Sequence, residues 1–377
     1  MQKISMVDLK SQYEKIKPEI DSAINEVINT TAFINGPAVK EFQTSLESYL
    51  GVKHVIPCAN GTDALQISMM ALGLKPGDEV IAPSFTFIAT AEVIALLGLT
   101  PVLVDVDPET FNISTDAIVK AITPKTKAIV PVHLFGQTAD MDEIMAIARK
   151  HNLFVIEDAC QSIGSDYHDS DGKWRKSGTM AEVGCTSFFP SKNLGCFGDG
   201  GAIFTNNDAL AAKIRVIVNH GMTVRYYHDE IGVNSRLDSI QAAVLKVKLQ
   251  YLDKYIQARQ QLANAYNAAF EAHNEIIVPA KSAKSTHVFH QYTLQIKGNK
   301  RNKLQEYLIS KDIPAMIYYP VPIHLQKAYL DPRYKQGDFP VTEQLIDTVI
   351  SLPMHTEMDE EQIAYITSSV LEFFETK

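Results

Sequence analysis

Between about residues 54 and 220, short and continuously apolar runs alternate with segments whose apolar residues return every three or four positions. The runs are His54–Ala59, Glu79–Pro83, Pro101–Asp105, Ala128–Val132, Leu153–Asp158, Cys185–Phe189 and Gly201–Thr205. Intervening stretches such as Met141 to Asn152 carry the helical spacing. An unbroken apolar strand is hidden on both faces, and alternation with helices supplies the covers. The pattern therefore predicts an α/β protein with a mostly parallel, seven-stranded type of sheet and helices on both faces.

The pattern changes after residue 235. Leu237, Ile240, Val244, Val247 and Tyr251 form an apolar helical stripe, and the helical signal continues to about His273. This is too long for an ordinary crossover and reads as a linking helix over 236–273. Beyond it, strand signals (Tyr292–Ile296) mix with helical ones (Lys303–Lys311, Glu360–Phe374), as in a smaller α+β domain over 274–377. Residues 1–50 read as helices and loops packed on the surface or on another subunit, ahead of the large α/β domain that ends near 235. At roughly 150 residues per domain, a chain of 377 residues has room for this arrangement.

Composition narrows the function classes. Lys and Arg number 35 against 44 Asp and Glu, a net charge of −9, so the chain lacks the basic balance of a protein that coats nucleic acid. One small anion remains possible, because a few amides and one lysine bind a phosphate locally. The four cysteines make no CxxC pair and no zinc spacing, and read as reduced thiols; no metal site is expected. The N-terminal residues show no signal-peptide run, and Val93–Val104 is too short for a span, so the expected location is the cytoplasm, off the membrane.

Three strand ends carry candidate chemistry, since open α/β sheets bind ligands at the carboxyl ends of their strands. Gly61-Thr62-Asp63 follows one strand and opens a helix, where backbone amides and the helix dipole attract an anion; a routine capped turn would look the same. Asp158 ends the most apolar strand, where a carboxylate seeks a cationic partner or caps the next helix. Lys192 lies between the aromatic run Phe188-Phe189 and the glycine-rich Gly198–Gly201 turn. A lysine there is either an exposed loop residue or an amine whose lowered pKa suits Schiff-base chemistry. Together the three match the needs of pyridoxal 5′-phosphate (PLP): an anion cradle, a carboxylate for the ring nitrogen and a lysine for the aldehyde.

With Gly61-Thr62-Asp63-Ala64-Leu65, Glu157-Asp158-Ala159-Cys160-Gln161-Ser162, Ser187-Phe188-Phe189-Pro190-Ser191-Lys192-Asn193, Gly200-Gly201 and Asn234-Ser235-Arg236-Leu237-Asp238, the chain resembles the DegT/DnrJ/EryC1/StrS aminotransferases along essentially its whole length. These are PLP-dependent sugar aminotransferases of the aspartate aminotransferase fold type. The resemblance implies that Lys192 is the Schiff-base lysine and proton shuttle, that Asp158 pairs with the pyridine nitrogen and that Gln161 lies near the ring hydroxyl. It assigns phosphate contacts to Gly61, Thr62 and Ser187, and the ring-stacking aromatic to Phe87. Asn234 would reach the phosphate of a neighbouring subunit's cofactor, implying a homodimer with shared active sites. Arg236, Tyr318, Tyr319 and His324 fall where relatives contact substrate. The implied reaction passes an amino group from L-glutamate, released as 2-oxoglutarate, to a nucleotide-linked keto-sugar for cell-surface polysaccharide. The expected acceptor is a 3-keto hexose linked to dTDP or UDP, with a 4-keto sugar the alternative.

Two features depart from the family's pattern: the loop His168–Ser177 is extended, and Met222 follows His220-Gly221 where relatives often carry a polar residue. Rival readings lack their motifs. No GxGxxG follows the first strand, Gly172-Lys173 leads into Trp174 rather than a Walker Ser or Thr, and HExxH and GxSxG are missing. A regulatory protein that keeps the fold without catalysis would have no use for Lys192, Asp158 and Gln161 together.

Overall fold

The computed structural model describes residues 3–375. Seven strands form the main sheet: β1 (His54–Cys58), β2 (Glu79–Pro83), β3 (Thr100–Val104), β4 (Thr126–Ile129), β5 (Phe154–Asp158), β6 (Val183–Ser187) and β7 (Gly201–Thr205). Their spatial order is β1-β7-β6-β5-β4-β2-β3. β7 pairs antiparallel with both neighbours, while every other pairing is parallel. The expected mostly parallel sheet is therefore present, with one reversed strand.

Side-chain alternation explains why the strands read as unbroken apolar runs. Ile56, Val80, Ala128, Ile156, Val183 and Ile203 enter the core beneath the helices Gly61–Ala71 and Asp208–Ile217. Their neighbours Ile81, Ile129 and Val155 enter a second core beneath Thr115–Ala121 and Met141–His151. Val55, Ala202 and Phe204 pack under Pro37–Leu50 and Ser239–Leu249. Both faces are covered by buried apolar side chains, and each fully buried Val or Ile contributes about 1.5–3 kcal/mol to the fold.

The helical spine expected over 236–273 is two helices, Ser239–Leu249 and Leu252–Phe270. At the junction the amides of Gln250 and Tyr251 bond to carbonyls three residues back, at 3.2 and 3.0 Å. The break matches a change of surroundings. The first helix is buried on most sides between the sheet and the N-terminal segment, whereas the second lays Leu262, Tyr266 and Phe270 on a separate core. A single apolar stripe does not distinguish these two environments. That separate core belongs to a three-stranded antiparallel sheet of Ile276–Ile277, Tyr292–Ile296 and Val349–Leu352, backed by the helices Arg301–Ser310 and Glu360–Glu375.

The N-terminal helix Leu9–Thr30 bends at Ile16, close to Pro18, whose ring and missing amide disturb the preceding turn. Its Ile16 and Ile20 pack on Val244 and Val247 of the same chain. Among the described residues, no helix is long and apolar enough to cross a membrane.

Candidate active site

A cleft of about 750 Å³ opens at the carboxyl ends of the strands, bounded by the Ile317–Pro320 segment of the C-terminal part. It gathers Gly61, Thr62, Phe87, Asp158, Gln161, Ser187, Lys192, Tyr318 and Tyr319, so nine of the expected site residues share one wall or another.

The anion cradle comes from the turn after β1. Asn60 caps the helix Gly61–Ala71, its Oδ1 accepting from the Asp63 amide at 2.8 Å. The Ala64 amide bonds to the Asn60 carbonyl at 3.1 Å. The first-turn amides of Gly61 and Thr62 have no intrahelical acceptor and carry the positive end of the helix dipole. Position 61 has to be glycine, because a Cβ there would lie 2.8 Å from both Cys160 Sγ and Ser187 Cβ.

Asp158 ends β5 with only 6% of its surface exposed. Thr90 donates its hydroxyl to Asp158 Oδ2 at 3.0 Å, and the Cys160 amide donates to Oδ1 at 3.2 Å. These bonds fix the plane of the carboxylate and leave lone pairs for a cleft ligand. Its neighbour Glu157 is fully buried and faces the other way, accepting from the amides of Gly178, Met180 and Ala181 at 2.9, 2.6 and 2.8 Å. His133 Nδ1 accepts from the Ala139 amide at 3.1 Å, which leaves the proton on Nε2 for Glu157 at 2.9 Å. Glu157 thus anchors the strand end that presents Asp158.

Gln161 uses both ends of its amide. Oε1 accepts from the Phe135 amide at 2.8 Å and Nε2 donates to the Tyr319 hydroxyl at 3.1 Å, joining the sheet to the C-terminal wall. Phe87 is 53% exposed, with its ring 6.2 Å from that of Tyr319, so an aromatic face is open to the cleft. Lys192 sits in a loop closed by Phe188 N to Gly200 O (2.7 Å) and Cys196 N to Phe188 O (2.8 Å). Burial lowers the pKa of its ammonium, against the opposing pull of Cys160 and Asp158. A lysine whose ammonium form is disfavoured, in a cleft that also presents the carboxylate of Asp158, is suited to carbonyl chemistry.

Three expected residues lie elsewhere. His324 is buried with Nε2 3.1 Å from Glu343 Oε1 and its ring against Phe339, outside the cleft lining. The resemblance places His324 among the substrate contacts, but the chain turns into a short 3-10 helix at Ile323–Leu325 and takes it inward. Asn234 is exposed and Arg236 half-buried, both outside the cleft of their own chain. Conversely, Thr90 and His290 support or line the cleft without a signal in the sequence, and Cys160, inside the Glu157–Ser162 motif, lines it without having been assigned a role. Thr90 lies inside a helix of apolar residues. His290 precedes a strand of the smaller sheet, where the rule about strand carboxyl ends does not look.

The donor set fits PLP. Amides at a helix N-terminus suit its phosphate, Asp158 suits a protonated ring nitrogen, the exposed face of Phe87 suits the ring and Lys192 suits the aldehyde. Fold and cleft together define a PLP-dependent aminotransferase. The chain belongs to the DegT/DnrJ/EryC1/StrS aminotransferase family, whose model matches residues 14–371. It is 46% identical over 367 residues to the UDP-2-acetamido-2-deoxy-3-oxo-D-glucuronate aminotransferase of Pseudomonas aeruginosa, covering 97% of this chain and 99% of the relative. It is 47% identical over 373 residues to a pleiotropic regulatory protein of Geobacillus stearothermophilus, covering 98% of each. The solved structure of ntda from Bacillus subtilis with bound cofactor PMP matches with a TM-score of 0.90 at 32% identity, covering 100% of this chain and 86% of that one. The cofactor, when bound, provides an electron sink for bond breaking at a substrate carbon.

Proposed function

We propose that the chain moves the amino group of L-glutamate to C3 of a UDP-linked keto-hexose, releasing 2-oxoglutarate, in the cytoplasm and as a step toward cell-surface polysaccharide. The observation that carries the reading is the complete set of Lys192, Asp158, Gln161 and the Gly61-Thr62 cradle in one cleft. The Pseudomonas relative, named for a UDP-linked 3-oxo sugar, supports the position and the nucleotide. Purified enzyme given L-glutamate is expected to aminate a UDP-linked 3-keto-hexose, with the new C–N bond located by NMR. Turnover of a dTDP- or UDP-linked 4-keto sugar in its place would overturn the C3 assignment.

The functional unit we propose is a homodimer with shared sites. Among the described residues lining the cleft, Lys192 is the single cation, against Asp63, Asp158 and Asp199. A nucleotide diphosphate therefore needs positive charge from outside, and Arg236 lies two residues before Asp238, which bridges the exposed Ile34 (48%). Lys192→Ala and Arg236→Ala chains, each inactive alone, are expected to recover activity when co-expressed, because a mixed dimer holds one intact site. Random pairing sets the ceiling at about one quarter of the parent rate. No recovery together with a monomeric sedimentation coefficient rules out shared sites.

A second, regulatory role is supported by relatives' names alone, among them that of the Geobacillus protein. The intact Lys192 and Asp158 argue against regulation without catalysis, and the amination assay decides between them.

A further inference from the structure

His290 reaches the cleft from an over-determined turn. Phe289, just before it, has φ of 46°, a left-handed conformation that a bulky residue keeps only where its surroundings hold it. Arg259, 3% exposed and without a carboxylate partner among the described residues, donates from Nη1 to the carbonyls of Phe289 (3.0 Å), His290 (3.3 Å) and Met354 (3.0 Å). Gly136, at φ 112°, closes the other side, where a Cβ would lie 2.9 Å from the Phe289 nitrogen and 3.0 Å from that of His290. Asn193, beside Lys192, ties this segment to the lysine loop through a 2.9 Å bond from Nδ2 to the Val288 carbonyl.

The imidazole so presented is 7% exposed and lines the same cleft as Lys192, yet its Nδ1 is buried without a hydrogen-bond partner among the described residues. Burial, together with the charges of Lys192 and Arg259, holds its pKa well below the usual histidine range, so the ring is neutral. An unpaired buried N–H is rarer than an unpaired acceptor, and the neighbouring positive charges favour a lone pair over a proton, so Nδ1 carries the lone pair. The single ring proton then resides on Nε2.

We propose that His290, through Nε2–H, is a substrate-positioning residue that receives in turn the α-carboxylate of the amino donor and a hydroxyl of the keto-sugar. The inference rests on the aminotransferase reading above for its two substrates. Both must approach the same lysine, but one brings an anion and the other a neutral polyol. An arginine at this place would hold the carboxylate and be left as an uncompensated buried charge when the sugar replaced it. A neutral donor serves both, and among the described residues no arginine lines the cleft.

Calorimetric titration of the PLP-loaded enzyme with 2-oxoglutarate tests the assignment, alongside KM and kcat for L-glutamate. His290→Phe is expected to raise the 2-oxoglutarate Kd and the glutamate KM about tenfold, the worth of one hydrogen bond to a charge. The absorbance of the bound cofactor and Tm should be kept. His290→Gln, whose amide reaches to about the place of Nε2, should recover most of the loss, and the shorter His290→Asn should not. If the Phe variant does not fold, the Gln and Asn pair carries the test alone. Unchanged 2-oxoglutarate binding in His290→Phe, equal behaviour of Gln and Asn, or a loss that only follows cofactor release overturns the proposal. A parent enzyme that ignores L-glutamate refutes the donor assignment instead. The same variants are then titrated with L-aspartate and oxaloacetate, which share the α-carboxylate, and are judged by the same outcomes.

Discussion

Alanine in place of Lys192 is expected to leave the chain folded and to slow both half-reactions by roughly 10³-fold or more, the scale at which a positioned proton-transfer group and nucleophile contribute. The fold survives because the bonds that close the loop are all backbone: Phe188 to Gly200, Cys196 to Phe188, and Lys192 N to Phe189 O at 2.8 Å. What disappears is the amine that, in the function proposed above, would remove a proton from the donor's Cα. Its pH behaviour gives a second readout. Burial lowers the Lys192 pKa from an ordinary 10.5, so the free-amine fraction at neutral pH exceeds that of an exposed lysine. The rate of an amine-dependent step therefore climbs with pH and levels off below 10.5. Single-turnover absorbance with L-glutamate should show that limb in the parent and none in Lys192→Ala, and added methylamine should restore part of the rate. An alanine variant as fast as the parent at any pH would falsify the assignment.

The parts of this site that are visible in sequence share a physical origin. Asp158 and Gly61 sit at ends of strands that are buried on both faces, where a polar residue or a glycine interrupts an apolar run and so stands out. Lys192 stands out for the same reason, between Phe188-Phe189 and a cluster of glycines. Residues whose position depends on how separate parts of the chain meet leave no such mark. Arg236 and Asn234 follow the large sheet in sequence yet lie outside its cleft. Their expected role is intelligible only with a second copy. His324 shares a stretch with Tyr318 and Tyr319, but its turn inward toward Glu343 is set by packing between the C-terminal elements. Thr90 and His290 carry no mark in the sequence, and only the fold brings the first to Asp158 and the second to the cleft that Lys192 lines. The two helices in the 236–273 region make the same point: periodicity reports an apolar stripe without saying how many cores it faces. Net charge behaves likewise, because the whole-chain value of −9 says nothing about a cleft whose described lining holds one lysine and three aspartates.

Asparagine in place of Asp158 is expected to slow glutamate and keto-sugar half-reactions together, by roughly 10²- to 10³-fold. The substitution isolates charge from shape. Asn keeps an oxygen to accept from the Cys160 amide, and its Nδ2 can donate to the Thr90 hydroxyl, which reverses its role from donor to acceptor. The side chain should therefore stay in its present plane between two fixed partners. The lost feature is the negative charge that, in the function proposed above, would keep a proton on the cofactor's pyridine nitrogen. Two unit charges about 4 Å apart interact by about 4 kcal/mol at an effective dielectric near 20, and each 1.36 kcal/mol, approximately, is tenfold in rate. Complete loss of that interaction sets the upper end of the range, and solvent entering the cleft sets the lower. Thr90→Val separates the two contributions: it removes the Oδ2 contact but leaves the charge, and should cost well under tenfold. Cofactor affinity measured by fluorescence quenching should weaken in Asp158→Asn and barely change in Thr90→Val. Equal rates for Asp158→Asn and the parent, with cofactor bound in both, would remove the carboxylate from the mechanism and leave Asp158 as a structural cap at the end of β5.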